Sequence, residues 1–271
     1  MASPSSPKDP NALPFVAPCQ SLDTDAPFHW LSLAWQDIKL APRASLTHGF
    51  LLCLLSYAVT AAAYWWGNVG LYLGLVSGFV FVAPALAMTF YAISEGLAQQ
   101  RAVGVWSSLI DALLSWKRSL VLAVLLVVVL LIWARAANTL YIFYPQNHQP
   151  DWSELGLFLG IGTVVGALFS AVVFAMSAFS LPMLMDKKVD AVTAVVTSIN
   201  AVLRNKKAML VWSVMIVACV ISGILTAWLS FIVVMPLIGH ATWHAYQHTI
   251  DASDWPSARP SPSGLDTTAA P

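Results

Sequence analysis

A chain of 271 residues that is 58% hydrophobic and only 10% charged, with a mean hydropathy of +0.73, has the composition of a membrane protein, since soluble domains carry roughly a quarter charged residues. Its 13 basic and 13 acidic residues cancel, so no nucleic-acid partner is expected. Cys19, Cys53 and Cys219 form no CxxC pair, which leaves a disulfide framework and a zinc knuckle without support.

Residues 1–27, opening "MASPSSPKDPNALPF", are polar and proline-rich and lack the apolar core of a signal peptide. They are expected to form a disordered cytoplasmic segment. A membrane domain over residues 28–250 follows. It begins with "FHWLSLAWQDIKLAP", an amphipathic helix running into a basic elbow at Lys39 and Arg43. A bilayer core of about 30 Å takes roughly 20 apolar residues in a helix, and six stretches qualify: about 46–66, 69–93, 119–140, 155–185, 208–225 and 227–246. The second contains Gly70, Gly74, Gly78 and Pro84; the fourth contains Gly162, Gly166, Ser170 and Pro182; the sixth contains Pro236. Residues 251–271 have the composition of the N-terminus and are expected to be a disordered cytoplasmic tail.

Twelve of the thirteen basic residues fall on one side of this arrangement, with Arg135 on the other. The bias places both termini in the cytoplasm. The spans also group in pairs. "SLIDALLSWKRSL" (108–120) and "TSINAVLRNKKAML" (197–210) align Ile110, Asp111, Ala112, Lys117 and Arg118 with Ile199, Asn200, Ala201, Lys206 and Lys207. An apolar stripe at Val189, Val192, Val195, Val196, Ile199, Val202 and Leu203 has helical spacing, as expected of a helix lying in the membrane interface. The expected fold is therefore all-α: a polytopic bundle of three helical hairpins, each preceded by an amphipathic interfacial helix. Glycine and serine at four-residue spacing, with Ser222, Thr226 and Ser230 echoing the pattern, let helices approach closely. The packing they imply is within the bundle, with a homo-oligomer face as the alternative.

Candidate sites are few. No ionisable residue stands in the middle of a span: His48 begins the first, Glu95 follows the second and Arg135 ends the third. Buried charge marks most ion-coupled carriers, so a proton-coupled pump is not expected. GxSxG, HExxH and glycine-rich phosphate loops are absent, and the chain is not expected to be an enzyme. Asp186 and Asp190 in "MDKKVD" suit a solvated, salt-bridged surface. Pro84, Pro182 and Pro236 either kink helices or open a path between them.

The densest polar feature is "GHATWHAYQH", where His240, His244 and His248 stack at four-residue spacing beside Trp243 and Tyr246. Anchoring at the membrane interface explains such a row. A metal or haem contact would need ligands beyond two imidazoles, and hydrogen bonding within the bundle or to a partner is the third reading. No metal or other cofactor is expected.

"SLPMLMDKKVDAVTAVVTSINAVLRN", "MPLIGHATWHAY" and "FHWLSLAWQDIKLAP" resemble a bacterial integral-membrane family catalogued as domain-of-unknown-function family 2189, over about Phe28 to His248. The resemblance implies a multi-pass inner-membrane protein of six or so spans with no established activity. Some relatives are labelled cytochrome c oxidase subunits. A catalytic haem–copper subunit needs more spans, an adjacent histidine pair and an HPEVY-like motif, none of which is present here. Two functions remain in view. One is a non-catalytic accessory or assembly protein that binds lipid or a membrane-protein complex, respiratory complexes included. The other is a transporter or channel for a small uncharged or lipid-like solute.

Overall fold

The computed structural model describes residues 13–65, 87–141 and 151–258. Residues 1–12 and 259–271, and most of the expected second span with Gly70, Gly74, Gly78 and Pro84, lie outside the described residues. The described chain is helical and matches the expected class. It comprises α1 (Ala26–Leu40), α2 (Pro42–Trp65), α3 (87–98), α4 (Val105–Tyr141), α5 (Trp152–Ser177), α6 (Ser180–Asp186), α7 (Ala191–Arg204), α8 (Lys206–Leu225) and α9 (Phe231–Thr249). Four helical stretches are long and apolar enough to cross a membrane: Pro42–Trp65, Lys117–Leu140, Trp152–Asp186 and Lys206–Leu225.

Helix α1 buries Trp30, Ala34, Asp37 and Ile38 while Phe28, Trp35 and Leu40 stay exposed. That spacing keeps one stripe of the helix against α9. Proline 42 has no N–H to give and disfavours helix at the residue before it, so the chain bends at Ala41 and Pro42 opens α2. Asn205 separates α7 from α8 by leaving helical geometry, with φ −113° and ψ 39°. The expected second elbow, at Lys117 and Arg118, is absent, and α4 runs unbroken for 37 residues. Charge alone does not interrupt a helix, and "LLSWKRSLV" contains no proline, glycine or asparagine.

The fourth expected span divides. Pro182 stands on the third residue of α6, and the break falls at Ala178–Phe179, one turn upstream. A proline ring excludes the carbonyl four residues back, and Ser198 of α7 satisfies groups at the break: it accepts the Phe179 N–H (3.1 Å) and donates to the Ala175 carbonyl (2.7 Å). At the α8–α9 turn Ala227 and Trp228 take positive φ. Ser222, Thr226 and Ser230, expected as a packing stripe, hydrogen-bond to one another and close this turn.

Glycine spacing alone did not decide which helices touch. A Cβ on Gly49 would stand 2.2 Å from the Ile232 carbonyl oxygen, so α2 and α9 meet there backbone to backbone. Gly162 and Gly166 of α5 have nothing within 4 Å of a Cβ, and no residue of that helix is buried.

Residues 13–25 and 251–258, expected within solvated tails, pack on the bundle. Gln20 N–H reaches the Thr249 carbonyl and Asp251 N–H the Pro18 carbonyl, both at 2.9 Å. Asn205 accepts the Leu22 N–H (2.8 Å) and donates to the Gln20 carbonyl (3.0 Å). Ala17, Ala252 and Trp255 are buried. Proline-rich composition rules out helix here, but extended chain with a few apolar anchors still docks. Asp190 caps α7 by accepting the Val192 and Thr193 N–H groups at 2.9 Å. Burial opposes ionisation of its carboxyl, yet the Thr193 hydroxyl and these two amides outweigh that and hold its pKa below the usual carboxylate value.

Candidate functional site

Four helices converge on one buried polar network. Asp37 comes from α1, Ser45 and His48 from α2, Ser94 from α3, and His240 and His244 from successive turns of α9. The Ser94 hydroxyl donates to Asp37 Oδ2 at 2.6 Å. With its one proton committed there, Ser94 Oγ can only accept at its 2.8 Å contact with His240 Nδ1, so that nitrogen carries the proton. In the neutral ring, His240 Nε2 then accepts the Ser45 hydroxyl at 2.9 Å. His244 Nε2 donates to the same Asp37 oxygen at 2.8 Å and ends the chain of bonds.

Ser45 and His240 are fully buried, and Asp37 is 7% exposed. The network runs from the partly open His244, 21% exposed at its side chain, into the interior. His48 lies within α2, near its start, donating Nδ1–H to the Ala44 carbonyl at 2.8 Å. Phe90 stands between the two imidazoles, its centroid 6.2 Å from His48 and 5.6 Å from His240. Only glycine at position 239 admits that ring, since a Cβ there would lie 2.5 Å from Phe90.

The third histidine is engaged too: His248 Nδ1 accepts the Trp30 indole N–H at 3.1 Å. The row therefore fastens α9 to α1, α2 and α3, which is the within-bundle reading among the three the sequence left open. Trp243 faces elsewhere, stacked on Tyr91 at 6.5 Å and tilted on Tyr246 at 5.7 Å. Tyr246 donates to Asp186 Oδ2 at 2.7 Å, so that carboxylate, expected to be solvated, braces α6 against α9. Pro236 is buried where α2 meets α9, and Pro182 is buried in α6. Among the described residues no group of three or more His, Cys, Asp or Glu side chains is placed to hold a metal ion.

Sequence reasoning missed Asp37, Ser45 and Ser94. Only Asp37 carried a signal: it falls on the stripe of Trp30, Ala34 and Ile38, an acid on the apolar face of an amphipathic helix.

A second feature lies deeper. An apolar cavity of about 520 Å³ opens between α3, α4, α5, α6, α8 and α9, lined by Tyr91, Leu126, Trp133, Phe169, Phe174 and Trp212 among others. Its volume falls in the range of roughly 300–1,000 Å³ typical of small-molecule sites. Neither Pro182 nor Pro236 lines it.

No curated protein and no solved structure matches the chain. The stretches "FHWLSLAWQDIKLAP" and "MPLIGHATWHAY" fall outside the one family match, which is narrower than the span the resemblance suggested. Residues 71–186 match the model of a family described as predicted integral membrane protein (DUF2189), and with its apolar helices the chain is a multi-pass membrane protein.

Proposed function

We propose that the protein is a non-catalytic accessory protein of a bacterial inner membrane, binding lipid and supporting a membrane-protein complex. The cavity carries this reading. It is apolar and sits among helices of membrane-spanning length, and one wall is α5, a helix with no buried residue. Clefts of this size and lining, with a few convergent polar groups, are the default binding sites of a protein. The polar network supports the same view from the other side. Ser45 and Ser94, the hydroxyls that face the His240 imidazole, are both buried, so the network is suited to clamping helices rather than to catalysis.

The topology that fits is six spans in three hairpins with both termini cytoplasmic. The basic residues Arg43, Lys117, Arg118, Lys206 and Lys207 then face anionic headgroups, each contributing about 1 kcal/mol. Passive passage of a small solute is the weaker reading. Pro182 and Pro236 line no part of the cavity, and Pro236 is packed where α2 and α9 touch.

The deciding experiment is a mild-detergent pull-down of the tagged protein from its native membrane, with protein and lipid identified by mass spectrometry. Stoichiometric lipid together with one reproducible complex supports the proposal. Recovery with neither, accompanied by solute flux in liposomes that the three proline substitutions abolish, would replace it with the channel reading.

A further inference from the structure

The cavity carries hydrogen-bond donors and is not uniformly greasy. The hydroxyls of Thr242 and Ser177 donate to the Ile238 and Val173 carbonyls, at 2.8 and 2.7 Å. Other donors on the wall meet no acceptor among the described residues. The indole N–H groups of Trp133 and Trp212 and the Ser170 hydroxyl donate to no described residue. Trp212 is only 2% exposed, yet its nitrogen is not among the side-chain atoms sealed inside the protein. What surface it keeps therefore opens onto the cavity that its ring lines. A buried N–H left without an acceptor costs about 1–3 kcal/mol, so an occupant that brings an acceptor is favoured over one that does not.

The position of the cavity narrows the occupant further. On α5 and the turn after it, the lining runs from Gly166 to Ala178, about 18 Å at the helical rise. That is close to half of a hydrocarbon core of roughly 30 Å. The lining residues of α4, α8 and α9, from Leu126 to Trp133, Trp212, Ile216 and Thr242, lie in the middle stretches of those helices. The cavity thus lies within their apolar length, away from the basic elbows. Its α5 wall leaves Gly166 with no atom within 4 Å of a Cβ, and α5, with no buried residue, gives a chain a lateral way in from the bilayer.

We propose that the cavity holds one acyl chain of an ester lipid from the surrounding bilayer, its carbonyl accepting from the Trp212 or Trp133 indole N–H. This rests on the lipid-binding reading and adds the chemical class of the occupant. The chain fills the apolar wall, and the carbonyl supplies an acceptor to an indole N–H that donates to no described residue.

The test uses the full-length protein in detergent micelles and the quenching of its tryptophan fluorescence by two probes of equal length, brominated methyl stearate and brominated octadecane. The expected result is saturable quenching by the ester, about five-fold tighter than by the hydrocarbon. Gly166→Leu, whose side chain has room to enter the cavity, should abolish the saturable component while far-ultraviolet circular dichroism stays unchanged. Equal affinity for both probes would overturn the carbonyl assignment but leave the cavity as an apolar binding site. Non-saturable quenching by both, identical in Gly166→Leu, would overturn the assignment and the lipid-binding reading together.

Discussion

Replacing Asp37 with alanine tests whether the polar network holds the bundle. One oxygen of Asp37 accepts two hydrogen bonds, from Ser94 at 2.6 Å and from His244 at 2.8 Å. Hydrogen bonds to a charged group contribute about 1.5–3 kcal/mol each, and truncation leaves two buried donors behind. Ser94 recovers part of its loss by turning to a helix carbonyl, and His244, 21% exposed, recovers part from water. The net cost should be about 2–4 kcal/mol. Asp37→Asn keeps the shape and one acceptor oxygen, so about 1 kcal/mol is expected. The assay is equilibrium unfolding in a mild detergent titrated with sodium dodecyl sulfate, followed by circular dichroism. A double-mutant cycle with His244→Ala isolates the pair and should give a coupling of about 1–2 kcal/mol. Additive single effects, or an Asp37→Ala cost below about 0.5 kcal/mol, would show that the network is not an energetic unit.

Four further outcomes follow from the same geometry. Gly49→Ala and Gly239→Ala should each destabilise by more than about 1 kcal/mol, because the Ile232 carbonyl and the Phe90 ring occupy the space; Gly166→Ala, in open space, should be neutral or stabilising by up to about 1 kcal/mol, as thermal melts will report. Asp190→Ala should cost about 1 kcal/mol at pH 7 through the lost cap. Because the folded pKa of Asp190 is depressed, its stabilisation is present above the unfolded value and fades as pH falls through the folded one; the gap between wild type and Asp190→Ala should therefore close below about pH 4, and a constant gap would contradict the assignment. Reporter fusions at Gln100 and after Ile250 should read cytoplasmic and a fusion at Gln149 periplasmic, one reversal being enough to break the three-hairpin topology.

What the sequence shows and what it hides differ by physical cause. Apolar runs are local, so Lys117–Leu140 and Lys206–Leu225 are visible from hydropathy alone. Helix breaks are nearly as local: Pro42 and Asn205 mark real elbows, whereas the charges at Lys117 and Arg118 mimic one without a breaker. The histidine row is equally plain, but its meaning is not, because its partners Asp37, Ser45 and Ser94 lie about 150 to 200 positions away and are ordinary residues where they stand. Small-residue spacing is the least informative signal. Gly162 and Gly166 repeat with the right period and touch nothing, while Gly49, Gly223 and Gly239, which have no such period, sit where backbones and rings meet. The packed tail segments were hidden for a related reason: Leu22, Ala252 and Trp255 are scattered among prolines and polar residues, and only the bundle's apolar core gives them something to bury against.

The most direct test of the lipid-binding account is a high-resolution structure of the protein purified from its native membrane into lipid nanodiscs without delipidating detergent. The account predicts a continuous chain of non-protein density along α5 between Gly166 and Ala178, branching to a polar group within hydrogen-bond distance of the Trp212 or Trp133 indole nitrogen. A cavity closed by repacked side chains, or filled only by ordered water bonded to those nitrogens, would contradict it.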